Sequence, residues 1–155
     1  MIKFWKTTGR YGCFSNFSKH SVLIGEIRYK TVEHFYQSQK FLEPASQALV
    51  SLADTPKRAK ELAGGKSEIP MPNIREDWED VKRGIMKTAL LEKARQHPSV
   101  FNSLMSTGSE PIGENSPYDY VWGLGEDGTG QNILGVLWME VRDELRKEVN
   151  VPKVF

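Results

Sequence analysis

Glu33, Tyr36, Gln37 and Lys40 stand at i, i+3, i+4 and i+7 within the stretch TVEHFYQSQKFL, Thr31 to Leu42. If that stretch is helical, the four share one face. A carboxylate, a phenol, an amide and an amine on one stripe describe the wall of a polar pocket. Each also has a plainer reading: Glu33 complements the helix dipole in the first turn, and Lys40 is a solvated charge. Asp119, Trp78 and Trp122 are further candidates from distant segments. Asp119 has its own alternative as the cap of a turn, and the tryptophans have theirs as core.

The elements that must position these groups can be read from punctuation. Thr31 is a good N-cap, and Pro44 sets a limit that the helix cannot pass. Phe35, Gln39 and Leu42 fall on the other face, where the apolar members can bury. Val22–Ile24 and Ile27–Tyr29 flank Gly25-Glu26 and predict a β-hairpin leading into the Thr31 helix. Ile2 to Trp5 predicts a short strand. Helices are expected over 45–53, 57–63 (behind Thr55-Pro56), about 76–96, from Pro98 to a stop at Gly108, and 132–149. The fold class predicted is α+β: helix-rich, with a small sheet, in a single domain over 1–155.

Two stretches lack periodicity. Gly9-Arg10-Tyr11-Gly12-Cys13-Phe14-Ser15-Asn16-Phe17 carries more aromatics than a solvated loop needs. Its phenylalanines either plug the core or help cradle a ligand. Residues 111–131 hold Gly123, Gly125, Gly128 and Gly130 within eight positions. With the helix start that follows, their amides suggest an anion cradle, although no phosphate-binding fingerprint is present.

Composition narrows the class. The 155 residues carry a net charge of +1, with 39% hydrophobic and 26% charged side chains, as in a soluble single domain. No global field attracts nucleic acid or an anionic membrane. The lone Cys13 excludes an internal disulfide and points to a reducing, cytoplasmic setting; without a visible histidine partner it reads as filler. His20, His34 and His97 follow no metal-binding spacing, so neither metal nor cofactor is expected. No run spans a bilayer, and MIKFWKTTGR lacks the apolar core of a signal peptide. Oligomeric state is not encoded legibly.

Taken in order, the blocks Tyr11-Gly12-x-Phe14-Ser15-Asn16-Phe17, Glu33-His34-x-Tyr36-Gln37-x-Gln39-Lys40-Phe41, Asp77-Trp78, Asp119-x-x-Trp122-Gly123-x-Gly125, and Gly130-x-Asn132-x-Leu134-Gly135 with Met139-x-x-Arg142 resemble the NADAR or YbiA-like family over about Phe4 to Leu145. The resemblance implies a compact α+β, metal-independent N-glycosidase. One branch acts on phosphorylated pyrimidine ribosides of riboflavin biosynthesis. Another removes ADP-ribose from guanine in DNA or RNA. It implies functional roles for Glu33, Trp78, Asp119 and Trp122, with Lys40 as covalent participant. The chain departs from many relatives at Ala94-Arg95, a change expected to affect packing.

Cleaving such a bond needs a carboxylate near the developing oxocarbenium and a proton for the leaving nitrogen. Glu33 and Asp119 suit the two sides of a cleft, Trp78 and Trp122 offer stacking faces, and an uncharged Lys40 could form a Schiff base with ribose C1. Tyr11, Gly12, Phe14 and Asn16 join as substrate-binding candidates. Arg10 and the amides around Gly123, Gly125 and Gly128 are the candidates for phosphate. The competing reading is a non-catalytic module that binds NAD or ADP-ribose.

Overall fold

The computed structural model describes residues 1–150. Its elements run β1 (Ile2–Phe4), β2 (Val22–Ile24), β3 (Ile27–Tyr29), α1 (Val32–Ser38), α2 (Pro44–Ser51), α3 (Pro56–Ala63), α4 (Trp78–Gln96), α5 (Pro98–Ser106), β4 (Ile112–Glu114) and α6 (Ile133–Asn150). The architecture is α+β, with six helices and two short two-stranded sheets among the described residues. Residues 151–155, within the single domain expected from sequence, lie outside them.

Helix α1 is the axle. The Thr31 hydroxyl accepts from the His34 amide at 3.2 Å and meets His34 Nδ1 at 2.8 Å, while His34 Nε2 reaches the Ala53 carbonyl at 2.9 Å. His34 therefore bridges α1 to the end of α2 as a buried neutral ring; burial lowers its pKa. Every residue from Val32 to Ser38 is buried, polar ones included. A helix wrapped on all sides is held by packing rather than propensity, which explains how only seven residues stay helical.

Helix α1 stops at Ser38, short of the sequence reading, and the chain turns so that Arg75 N donates to the Lys40 carbonyl at 2.8 Å. Leu42 does not bury beside Phe35: it is 65% exposed, because the turn swings it outward while Phe41 enters the small core under α2 and α3. The main core gathers Phe14, Val32, Leu90, Leu137 and Trp138, and Ala94 joins it on the packed face of α4.

Strand β4 is absent from the sequence reading, which treats 111–131 as loop. It pairs in parallel with β1, Ile2 facing Ile112 and Phe4 facing Glu114. Asn132 fastens it: its Nδ2 donates to the Ile112 carbonyl at 2.9 Å and its Oδ1 accepts from Glu114 N at 2.9 Å. Asn132 has φ of +53°, a conformation that asparagine tolerates better than most residues. Gly135 on α6 completes the contact, since a Cβ there would lie 2.2 Å from the Ile112 carbonyl oxygen.

Candidate active site

Glu33, Tyr36, Gln37 and Lys40 do share one wall, and it faces a chamber of about 270 Å³. Asn16 and Phe17 come to it from the aromatic loop, Met86 from α4, and Glu114, Asp119 and Trp122 from the β4 region. The aromatic loop is tied to α1 because Glu33 N donates to the Asn16 carbonyl at 3.1 Å. Lys93 fixes it from beneath. This fully buried amine donates to the Ser15 carbonyl at 2.9 Å and to Ser18 Oγ at 2.7 Å.

The carboxylates are unlike in setting. Glu33 is buried, and Gln37 Nε2 donates to its Oε1 at 2.7 Å. Burial drives its pKa upward; that hydrogen bond and the charges of Lys60 and Lys40 pull against the rise. Glu114 is pushed up to about 7, first by burial and then by the charge of Asp119. Asp119 accepts amide hydrogens from Val121 at 2.9 Å and Trp122 at 2.8 Å, so it does cap a turn as its plainer reading holds. Both bonds use Oδ1, so Oδ2 is the atom it can offer a ligand. Lys40 is pulled below the ordinary amine range, chiefly by burial, although Glu33 opposes the change.

Buried polar atoms nearly always find a hydrogen-bond partner. Among the described residues, Asn16 Oδ1, Gln37 Oε1 and Glu114 Oε2 have none, and all three residues line the chamber. The fourth such atom, Arg142 Nε, belongs to a residue outside it. Asn16 Oδ1 and Gln37 Oε1 are acceptors and a protonated Glu114 can also donate, a set that suits a ligand whose hydroxyls do both.

Several candidates lie elsewhere. Phe14 is fully buried and stacks on Tyr11, with ring centroids 5.7 Å apart, so both serve the core side of the loop. Gly12 is spacing: a Cβ would meet the Thr7 carbonyl oxygen at 2.2 Å. The Arg10 guanidinium lies over the Tyr11 ring at 5.1 Å and lines neither the chamber nor the recess beside it. Trp78 is buried behind the wall, 5.0 Å from the Tyr36 ring with the Lys40 ammonium 5.9 Å from its own, so it backs the chamber rather than facing it. Gly123, Gly125 and Gly128 do not form an anion cradle. Gly123 makes room for Glu114, Gly125 (φ +72°) lies under the Tyr120 ring, and Gly128 turns at the surface.

The sequence reading missed Glu114 and Lys60. Glu114 sits in a strand too short to show alternation, and Lys60 is an exposed charge on α3 that shares the chamber lining. Neither carries a local signal; only the fold brings them in.

Fold and site together define a class: a small α+β domain enclosing a chamber lined by acids and two amines, with no cluster of metal-binding side chains among the described residues. The NADAR domain family matches residues 3–146. An N-glycosidase of Nostoc punctiforme is 39% identical over 99% of this chain and 98% of its own length. N-glycosidase YbiA of Escherichia coli is 33% identical over 96% of this chain and 90% of its own. The NMR structure of the E. coli protein YbiA superposes with a TM-score of 0.85 at 31% identity, covering 98% of this chain and 89% of that one. The riboflavin biosynthesis protein PYRR of maize is 35% identical over 94% of this chain, which spans 25% of that protein. The chain belongs to the NADAR domain family, whose relatives named here include N-glycosidases, hydrolases of N-glycosyl bonds. No helix among the described residues is long and apolar enough to cross a membrane.

Proposed function

We propose that the protein hydrolyses the N-glycosyl bond of a phosphorylated ribosyl-aminopyrimidine, releasing ribose 5-phosphate. The observation that carries the sugar assignment is the trio of unpartnered polar oxygens, Asn16 Oδ1, Gln37 Oε1 and Glu114 Oε2, on residues lining a chamber of about 270 Å³. Two relatives support the pyrimidine half by their names, the maize protein and a riboflavin biosynthesis protein of Vibrio vulnificus that is 32% identical. The chain spans only 39% of the latter, so that support reaches one part of a longer protein.

The roles follow from environment. A carboxyl held near pH 7 is matched to proton donation at neutral pH. Glu114 is that group, and it lies where the chamber opens toward its neighbouring recess. With the ribosylamine opened to its C1=N form, the ring oxygen taking a proton, Lys40, its amine made easier to deprotonate by burial, adds to C1 and passes a proton to Glu33. The Glu114 proton then goes to the leaving nitrogen as the C1–N bond breaks, which leaves C1 bound to Lys40 as an imine. The resulting imine is hydrolysed by water, which restores the amine and frees the sugar. Glu33 relays protons beside it, and Asp119 Oδ2 holds a hydroxyl.

The test is incubation with the 5-amino-6-ribosylaminopyrimidine 5′-phosphate, followed by assay for free ribose 5-phosphate, with borohydride added to trap an imine. Release of the sugar, and an adduct on the native chain that is absent from Lys40→Ala, is the expected result. No release overturns the substrate; release without an adduct overturns the covalent step and leaves direct attack by water.

A further inference from the structure

Beside the chamber lies a second recess of about 880 Å³. Ser15, Phe17, Lys60, Glu114 and Asp119 line both, so the two spaces meet across a shared waist. Beyond that waist the character changes. The chamber is walled by buried polar groups, whereas the recess is walled by aromatic rings open to solvent: Trp5 at 38% exposure, Tyr120 at 44% and Tyr118 at 83%.

These rings are not random surface residues. Trp5 follows β1 and Tyr118 follows β4, so both leave the same end of the parallel pair, and their centroids lie 6.1 Å apart at 62°. The Lys6 ammonium lies 5.3 Å from the Trp5 ring. Tyr120 is held in place: its hydroxyl accepts from Glu126 N at 3.2 Å, and Gly125 leaves space for its ring. Large aromatic faces grouped at the rim of a polar site are a platform on which a flat ring can stack.

We propose that this recess is the leaving-group subsite, and that it takes a planar nitrogen heterocycle with polar edges. The inference rests on the N-glycosidase reading above and adds where the non-sugar half is held. With the ribose in the chamber, the scissile bond crosses the waist beside Glu114. The heterocycle then stacks on Trp5 with the Tyr118 ring, inclined at 62° to it, against its edge, and Lys6 and Lys60 face its carbonyl or ring-nitrogen acceptors. A 5′-phosphate in the recess is the rival occupant, because the same lysines would serve it.

Two measurements separate these. In the native protein, 2,4-diamino-6-hydroxypyrimidine titrated against the ¹⁵N-labelled chain should shift the Trp5 indole resonance. In turnover of the ribosyl-aminopyrimidine, Trp5→Ala and Tyr118→Ala should raise KM by roughly ten-fold or more, with kcat changed far less. Trp5→Phe should recover most of the loss, and inhibition by ribose 5-phosphate should be unaltered in all three. An unmoved indole together with unchanged KM overturns the subsite. Loss of ribose 5-phosphate inhibition in step with KM assigns the recess to the phosphate end and overturns it equally. If no ribosyl substrate is turned over yet the heterocycle still moves Trp5, the hydrolytic reading fails and the subsite stands.

Discussion

The Glu114 carboxylate occupies the space in which a side chain at residue 123 would begin. A Cβ built on Gly123 would lie 2.3 Å from Glu114 Oε2 and 2.9 Å from the Asp119 carbonyl oxygen. Gly123 is thus a spacer between the two carboxylate-bearing segments rather than a ligand for phosphate.

Gly123→Ala is therefore expected to displace the Glu114 carboxyl or the backbone at Asp119. Overpacking of this kind costs about 1–3 kcal/mol, and the site should suffer more than the fold. Thermal unfolding and kcat/KM measured together check it. A variant with both values native would show that the carboxyl is free to move aside.

Glu33→Gln keeps the volume and an oxygen to accept from Gln37 Nε2, but removes the ionisable group. Loss of one positioned acid or base lowers turnover by roughly 10²–10⁴-fold. Stability should hold or rise, because the buried charge is gone. Undiminished turnover would remove Glu33 from the acid–base role.

The raised pKa of Glu114 gives two pH dependences of defined sign. As a proton donor it is competent when protonated, so kcat/KM should fall as pH rises through about 7. For stability, the folded state holds this proton more tightly than the unfolded chain, whose ordinary value is 4.5. Its contribution is complete below about 4.5 and disappears as pH climbs through about 7. Glu114→Gln should flatten both curves over that window, as read from rate profiles and from unfolding midpoints relative to the native chain. A native profile with no limb near 7 would remove Glu114 from the proton-donor role.

Lys93 sits beneath the loop that carries Asn16 and Phe17 into the chamber, and its amine satisfies Ser15 O and Ser18 Oγ. Lys93→Met fills the volume but removes one hydrogen bond from Ser15 O, which keeps the Ser18 amide, and one from Ser18 Oγ, which keeps His20 Nδ1. The cost is about 0.5–1.5 kcal/mol for each bond lost. The amides of residues 12–18 should exchange with solvent faster, and KM should rise. Unchanged exchange in that loop would mean that α1 and the Trp138 indole, which donates to the Phe14 carbonyl at 3.0 Å, hold it without Lys93.

Where periodicity or punctuation was strong, the elements were legible beforehand. Thr31 as cap, the 22–29 hairpin, the Pro56 and Pro98 helix starts and the long α4 all follow from local rules. The stripe of Glu33, Tyr36, Gln37 and Lys40 was legible too, because the period of 3.6 alone puts them on one face. That they face a chamber, with Lys40 delivered by the turn past Ser38, was not. Phe14 shows the limit from the other side: from its loop neighbours it reads as either core plug or ligand contact, and only the fold decides, packing it 5.0 Å from Trp138, more than a hundred positions away.

The order of residues by itself determined the helices, the hairpin, the one-sided polar stripe and membership of a family, since each depends on neighbours a few positions apart or on motifs in sequence. Tertiary structure alone decided which acids and amines meet. Glu114 reaches the chamber because a three-residue strand pairs with the N-terminus and Asn132 clamps it, and Lys60 because α3 packs on α1. Such meetings depend on long-range packing, for which no pattern exists along the chain, and they also set the pKa values, since burial and neighbouring charge belong to the folded state.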